Sequence, residues 1–248
     1  MQRIQSVRQT PWIWTLMLSA AFLTPDAGFC EVLGGDLRIA LKGTTDYFFR
    51  GISQTDGEPA IQAGVDFEHN TGIFGGLWAS TVEFEFERAL QVANPRDIEL
   101  NTYLGFKWRM NPSWSTVYSV THYSYPDSSI DADFTEFTVA ASFQDHVFAA
   151  VSYSPEGYAN DESTVNYEAG VEYPVFKEFV IGGNFGAFDF SGSRYSTFTY
   201  WDIGISRWFR FLMIDVRYHD TDGDAKDNFF NNAADSQWVL SISTGLAF

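Results

Sequence analysis

The sequence predicts an all-β fold: a closed, antiparallel, up-and-down transmembrane β-barrel of about twelve strands. Apolar and polar residues alternate with a period of two along most of the chain, as they do in strands with one apolar face. Aromatic residues, which favour strands, make up 18% of the chain. Beyond the N-terminal segment no apolar run reaches the roughly 18 residues of a membrane-spanning helix, so strands are the elements left to cross a bilayer.

The first 30 residues have the pattern of a secretory signal peptide. Arg3 and Arg8 give a positive start, and Trp12–Leu23 is an apolar run of suitable length. We expect cleavage close to residue 30, with a lipoprotein as the weaker interpretation because Phe29 precedes Cys30.

Residues 31–248 are then expected to form one barrel domain. If Cys30 leaves with the signal peptide, the remaining chain has no cysteine, which excludes a disulfide scaffold.

The alternation assigns most strand residues to an outer apolar face or an inner polar face. In the first segment odd positions from Leu37 to Phe49 are predicted to face outward, and in the second those from Ile61 to Phe67. The cleanest segment places even positions from Ile98 to Trp108 outward. Later outward sets are odd positions in 137–143, 147–153, 165–173 and 201–205, and even positions in 212–218 and 238–248.

Three further segments complete the set. Gly75–Val82 and Ser113–Tyr125 leave the phase open, and Phe179–Phe188 is rich in glycine. Most segments are near the roughly 9–11 residues that a tilted membrane strand needs, whereas ordinary strands average about 5–6.

The connections between these segments alternate in length. Short ones are predicted near 69–72, 109–112, 144–146, 174–178 and 207–208, and long ones near 52–59, 83–97, 126–133, 155–163, 189–196 and 220–236. Bacterial barrels have tight periplasmic turns and longer external loops, so this order places both termini in the periplasm. The remaining alternative is a soluble β protein, in which short and long loops are not expected to alternate in this way.

Aromatic residues gather at both ends of the predicted strands, as in interface girdles. The predicted set at the short turns is Trp108, Trp114, Phe179, Trp208, Phe209 and Phe248. The predicted set at the long loops is Tyr47, Phe49, Tyr123, Tyr125, Tyr153, Tyr218 and Trp238. Aromatics are so frequent in this chain that some would fall there by composition alone.

The last segment ends on Phe248 after alternating apolar positions. This ending resembles the recognition signal that the outer-membrane barrel-assembly machinery reads. We therefore expect that machinery, outer-membrane lipid and lipopolysaccharide to be partners.

The stretch Asp46–Thr55, DYFFRGISQT, resembles the opening signature of the TorF family of proposed porins. Shorter matches are Gly76–Ser80, Ile98–Leu100, Tyr125–Pro126, Glu136 and Asp220–Asp222, and Thr81 stands where that family has Asn. The resemblance implies an outer-membrane barrel proposed to act as a porin, with no assigned substrate and no catalytic residues.

Charged residues on the predicted inner face are the candidates for lining a pore. They are Arg38, Lys42, Asp46, Arg50, Asp66, Glu68, Glu99, Lys107, Glu136, Glu168, Glu172, Asp202, Asp215 and Arg217. Dry burial of so many charges is costly unless they are paired, so either water fills the interior or a paired network plugs it. Acids exceed bases, which predicts a mild preference for cations if the barrel conducts.

Arg50 is a candidate for a mouth or constriction. The competing interpretation is an ordinary ion pair with Asp46 or with a loop acid.

The predicted loop after the eleventh segment contains Asp220, Asp222 and Asp224. Their spacing resembles half of a calcium-binding loop, but the glutamate that completes such a loop is absent. The alternative is an acidic external loop, in which divalent ions could bridge to lipopolysaccharide phosphates.

Three functions remain open. The first is a porin that lets small solutes or ions diffuse, and the second is a closed barrel acting through its loops as an adhesin or structural anchor. The third is a hydrolase using His219, although no Gly-x-Ser-x-Gly motif is present. We expect no enzyme activity and no cofactor, and the net charge of −17 opposes nucleic-acid binding.

Overall fold

The computed structural model describes residues 34–83, 96–126, 128, 132–157, 162–176, 178–192, 195–229 and 232–248. The predicted signal peptide, Cys30 and most of the predicted loop at 83–97 lie outside the described residues. The described elements are one short helix, α1 (Gly223–Asn228), and fourteen strands. The strands are β1 (Gly35–Thr44), β2 (Phe48–Phe49), β3 (Ile52–Ser53), β4 (Ala60–His69), β5 (Ile73–Glu83), β6 (Arg96–Arg109), β7 (Trp114–Ser124), β8 (Phe134–Phe143), β9 (Val147–Ser154), β10 (Thr164–Phe176), β11 (Phe179–Phe190), β12 (Phe198–Phe209), β13 (Leu212–Thr221) and β14 (Gln237–Ala247).

Twelve of the described strands close into one barrel. They follow chain order around it, from β1 and β4 to β14, and each pairs antiparallel with its neighbours. Pairing of β1 with β14, from Arg38 opposite Ala247 to Thr44 opposite Ser241, closes the sheet. The predicted twelve-strand, antiparallel, closed barrel is therefore confirmed.

Strands β2 and β3 form a separate two-stranded sheet. Among the described residues, no helix is long and apolar enough to span a bilayer.

The two faces of the barrel wall differ in polarity. In β6, for example, Leu104 and Trp108 are exposed on the outside, while Glu99 and Asn101 are buried on the inside. The two open phases are resolved, since β5 turns Phe74, Trp78 and Val82 inward and β7 turns Ser115, Thr121 and Tyr123 inward. An apolar outer surface around a polar interior is the arrangement that a lipid-facing barrel requires.

The connections alternate in length as the sequence predicts, and they define a short-turn end and a long-loop end of the barrel. One predicted short turn, at 174–178, begins too early, and another, at 207–208, is misplaced. Pro174 belongs to β10, where the register shifts between Pro174 and Phe176. Arg207 and Trp208 belong to β12, and the chain turns at Arg210 with a φ of 57°.

The first strand is shorter than predicted. It ends at Thr44, so Asp46 lies beyond the barrel wall, and the chain folds back as the hairpin of β2 and β3. Period-two alternation continues through this hairpin, because a strand packed inside the barrel also alternates between two faces. The alternation therefore could not reveal where the wall ended.

The predicted girdle at the long-loop end is partly wrong. Tyr47 packs against Trp78 with ring centroids 5.5 Å apart, and Phe49 packs against Tyr123 at 5.8 Å. Tyr123 and Tyr125 are buried with them in one inward-facing aromatic cluster. The members that do lie on the outer surface include Tyr153 and Trp238 at this end and Trp108, Trp114 and Phe209 at the short-turn end.

Candidate functional site

Residues 46–55, which we call the inner hairpin, are held inside the barrel. Phe49 pairs with Ile52, and the two residues between them have positive φ, 52° at Arg50 and 80° at Gly51. This is the backbone of a tight two-residue hairpin turn. A Cβ at Gly51 would lie 2.5 Å from the Tyr200 Cβ and 2.7 Å from the Thr221 Cγ2, so the turn rests directly on β12 and β13.

Asp46 fastens the base of the inner hairpin. Its Oδ1 accepts hydrogen bonds from Ser53 Oγ and Thr55 Oγ1, each at 2.7 Å, and its Oδ2 accepts one from Gln237 Nε2 at 3.1 Å. Burial raises the pKa of Asp46, and the bonds from Ser53 and Thr55 oppose that rise only in part. One carboxylate thus joins both arms of the hairpin to the segment that begins β14.

Arg50 fastens the tip. Its Nη1 lies 2.7 Å from Glu136 Oε2, and its Nη2 donates to Glu136 Oε1 at 2.8 Å. The guanidinium carbon also lies 4.6 Å from the Phe49 ring centroid and 5.2 Å from that of Phe188. Burial lowers the pKa of Arg50, but the Glu136 carboxylate outweighs it, so the pKa is raised and the group stays charged.

The partner of Arg50 is therefore a wall residue of β8, and neither Asp46 nor a loop acid. Because the hairpin leaves β1 and touches β8, β11, β12 and β13, it crosses the barrel interior. Arg50 lies at the tip of this hairpin, and its role in a constriction stays a prediction.

A cavity of about 130 Å³ lies beside the inner hairpin. The hairpin residues 46–51 form one side, and inward residues of β1, β4 and β10–β14 form the other. Its charged and polar lining includes Lys42, Gln62, Glu168, Asp202, Asp215 and Arg217.

Several predicted pore residues meet in this wall. Arg217 contacts the carboxylates of both Asp202 and Asp215, the latter at 3.4 Å. Glu168 accepts a hydrogen bond from the Tyr200 hydroxyl at 2.9 Å. The interior near the cavity is thus a network of paired side chains and not a bare ring of charges.

The other predicted pore residues lie elsewhere on the inner wall. Arg38 pairs with Glu68 at 3.2 Å, and Asn101 donates to Glu99 at 2.7 Å. Asp66 lies opposite Arg38 in the pairing of β4 with β1, and Glu172 lies on β10. Lys107 is buried, and its ammonium has no hydrogen-bond partner among the described residues.

A family model described as a bacterial protein of unknown function matches residues 36–246, nearly the whole barrel. The chain belongs to the Gcw_chp family. No curated protein matches this family member.

Several solved structures are similar to this chain at low sequence identity. A KdgM porin in complex with disordered oligogalacturonate has a TM-score of 0.50 and 11% identity, over 84% of the Gcw_chp chain and 98% of the porin chain. The NanC porin has a TM-score of 0.47 and 11% identity, over 86% and 98%. An outer membrane channel from Pseudomonas putida F1 has a TM-score of 0.46 and 11% identity, over 90% and 100%.

Sequence reasoning missed the role of inward glycines in the Gcw_chp barrel. A Cβ at Gly186 would lie 2.2 Å from the Tyr200 Cζ, and one at Gly204 would lie 3.1 Å from the Arg217 Cζ. The side chains of Tyr200 and Arg217 therefore lie along the inner wall, each across a glycine of the neighbouring strand. Glycines at positions of inward parity were the available signal, since glycine inside a strand often marks a close approach.

The three candidate metal ligands are not grouped around one point among the described residues. Asp222 caps α1, accepting from Ala225 N at 3.2 Å and from Thr199 N and Oγ1 at 2.7 Å each. Asp220 accepts from its neighbour Thr221 N, and Asp224 is exposed in the first turn of α1. In the described part of the chain, no three His, Cys, Asp or Glu residues are placed to hold a metal ion.

His219 packs as an aromatic ring. It stacks on Phe48 with centroids 4.5 Å apart and an interplanar angle of 11°. Within the described ranges it makes no hydrogen bond to a nucleophile or an orienting acid, which are the contacts that a general base needs. The hydrolase hypothesis therefore gains no support from the geometry.

Proposed function

We propose that this Gcw_chp protein is a porin-like channel of the outer membrane through which small solutes or ions diffuse passively. The observation that carries the proposal is the closed barrel with an apolar exterior and a charged interior containing a cavity. The inner hairpin is the proposed constriction, because it crosses the interior and is fastened at both its base and its tip.

Membrane location and orientation are part of the same proposal. The alternation of short turns and long loops supports a periplasmic location for both termini. Phe248 directly follows β14, and its amide donates to Leu37 O at 2.9 Å. We propose this closing strand as the segment that the barrel-assembly machinery recognises. The resemblance to the TorF family stays a prediction, since the matching family model carries another name.

Purified protein in a planar lipid bilayer tests the channel. We expect discrete conductance steps from the folded barrel and none from the same protein after boiling. A second sample, in which glycine and serine replace residues 47–54, is expected to give larger steps because the constriction is gone. Folded barrels that stay silent in both samples would contradict a channel function.

A second candidate is a closed barrel that serves as a structural anchor or adhesin through its external loops. The buried ion pair between Arg50 and Glu136 favours it, because that pair holds the hairpin across the interior. Silence of the native protein, together with conductance of the hairpin-replaced sample, would favour this candidate over a channel that is open at rest.

A further inference from the structure

The cavity beside the inner hairpin contains polar groups that lack partners of their own. Lys42 lines the cavity half-buried, near enough to Asp215 for the two charges to attract, but its Nζ makes no direct ion pair or hydrogen bond within the described residues. Gln62, directly opposite Lys42 on β4, is only 1% exposed, and its Oε1 has no hydrogen-bond partner among the described residues. A buried carbonyl oxygen without a donor is unfavourable, so these two groups are suited to a ligand that supplies both an anion and a donor.

The remaining charges of the cavity restrict the ligand further. Three cationic side chains line it, Lys42, Arg50 and Arg217, and four acidic ones, Asp46, Glu168, Asp202 and Asp215. Arg50 and Arg217 are already paired, whereas Glu168 has no ion pair among the described residues. An anion alone would meet this surplus of carboxylates, and a cation alone would leave Lys42 without a direct ion pair. A molecule that carries both charges satisfies both conditions.

The size of the cavity sets the scale of the ligand. A cavity of about 150 Å³ accommodates a benzene-sized molecule, of about six non-hydrogen atoms. The volume of about 130 Å³ therefore suits a molecule of about the size of a small amino acid.

We propose that the cavity binds a small zwitterionic solute of the amino-acid type. The carboxylate of the solute accepts a hydrogen bond from Lys42 Nζ, and its ammonium donates to Gln62 Oε1 within the field of the surrounding carboxylates. The inference deepens the proposed channel function by naming a solute class, and it rests on that function for its biological meaning.

Calorimetric titration of the detergent-solubilised barrel with glycine, acetate and methylammonium tests the site. We expect saturable binding of glycine and, because each single charge satisfies only half of the site, binding of the other two that is weaker by about tenfold or more. Lys42→Gln is expected to weaken glycine binding by about tenfold or more, because the charged hydrogen bond is lost. Lys226→Gln is the matched control, since Lys226 lies on the exposed α1, pairs with Asp235 and does not line the cavity.

Gln62→Leu tests the proposal independently if Lys42→Gln fails to fold. It is expected to weaken glycine binding while acetate binding stays unchanged, because only the ammonium contact is lost. Equal binding of glycine and acetate by the native barrel, or no binding of either, would overturn the proposal. Conductance steps without glycine binding would refute this inference alone, whereas glycine binding by a barrel that never conducts would refute the channel alone.

Discussion

At the scale of single residues, the ion pair between Arg50 and Glu136 holds the tip of the inner hairpin against the barrel wall. Glu136→Gln leaves the Arg50 guanidinium buried without a counter-charge, which in general costs on the order of 3–5 kcal/mol. We expect the tip to leave its position on the wall, so that single-channel conductance rises and the midpoint of thermal unfolding falls.

Glu178→Gln is the control for that change. It removes a carboxylate that pairs with Arg207 at 3.0 Å, but this pair is largely exposed, at 38% and 56% of the two side chains. Exposed pairs contribute about 0–1 kcal/mol, so neither conductance nor the unfolding midpoint should move appreciably. Identical conductance of Glu178→Gln and Glu136→Gln would show that Arg50 does not hold the constriction.

The close contact of Tyr200 with Gly186 gives a second prediction at this scale. In Gly186→Ala the new methyl group occupies the position of the Tyr200 ring, so the hydroxyl loses its bonds to Asn166 and Glu168. We expect a loss of about 1–3 kcal/mol in the free energy of unfolding, as for other overpacked sites.

Gly43→Ala provides the comparison, because nothing lies within 4 Å of a Cβ at that outward position. Denaturant unfolding of both variants in lipid vesicles measures the difference. A double variant, Gly186→Ala with Tyr200→Ser, should recover part of the loss, and failure to recover would place the cost in the strand backbone instead.

Sequence analysis could not predict which side chains contact each other across the barrel. The parity of alternation placed Glu136, Glu168 and Asp202 on the inner face, because side chains of a strand alternate between faces. It could not pair Arg50 with Glu136, which lies 86 positions away along the chain. Such a contact depends on how strands far apart in sequence face each other across the closed barrel.

At the scale of elements, the fit of the hairpin tip can be separated from its backbone conformation. Gly51 and Gly57 both have positive φ, 80° and 78°, so alanine strains the backbone at either position. Only at Gly51 would the added carbon also collide with Tyr200 and Thr221, since at Gly57 the nearest atom is 3.8 Å away.

We therefore expect Gly51→Ala to raise conductance and Gly57→Ala to leave it close to native, although both lose some stability. Single-channel recording of the two variants measures the effect. Equal conductance increases would mean that backbone strain, and not contact of the tip with the wall, decides the size of the opening.

The cap of α1 gives a pH-dependent prediction. Burial raises the pKa of Asp222, but hydrogen bonds from Thr199 and Ala225 outweigh it, and the pKa is lowered. A lowered pKa means that the ionised cap stabilises the helix above the ordinary value of about 3.9 and loses this effect as the pH falls through the lowered one. Asp222→Ala should cost about 1 kcal/mol of local stability at pH 7, as for other N-caps.

Hydrogen exchange of residues 222–228, corrected for intrinsic rates, measures this local stability. Asp224→Ala is the control, because Asp224 precedes Ala225 on the same turn but does not cap the helix. Protection that does not fall as the native protein is acidified through the titration of its carboxylates would contradict the assigned role of Asp222.

Element boundaries show where sequence analysis succeeded and failed. Wall strands such as β4 and β6 were predicted correctly because lipid on one side and polar groups on the other enforce strict alternation. The inner hairpin was merged with β1 because the aromatic residues Tyr47 and Phe49 continue the same pattern, although they pack inside. The segment of α1 was predicted to be half of a calcium-binding loop or an acidic external loop, because its six residues are too few to show a helical period.

At the scale of the whole molecule, the inward carboxylates outnumber the inward cations among the described residues, although many of them are paired. A lumen with excess carboxylate favours cations, so a potassium chloride gradient across the bilayer should give a reversal potential of the cation-selective sign. The preference for cations should shrink at high salt, because the screening length falls from about 10 Å at 0.1 M to about 3 Å at 1 M.

Glu172→Gln, which removes one inward carboxylate, should reduce the preference for cations. The control Asp227→Asn, on the exposed side of α1, should leave it unchanged. An anion-selective reversal potential in the native protein would show that Lys42, Lys107 and Arg217 dominate the conducting path, and that the acidic surplus lies outside it.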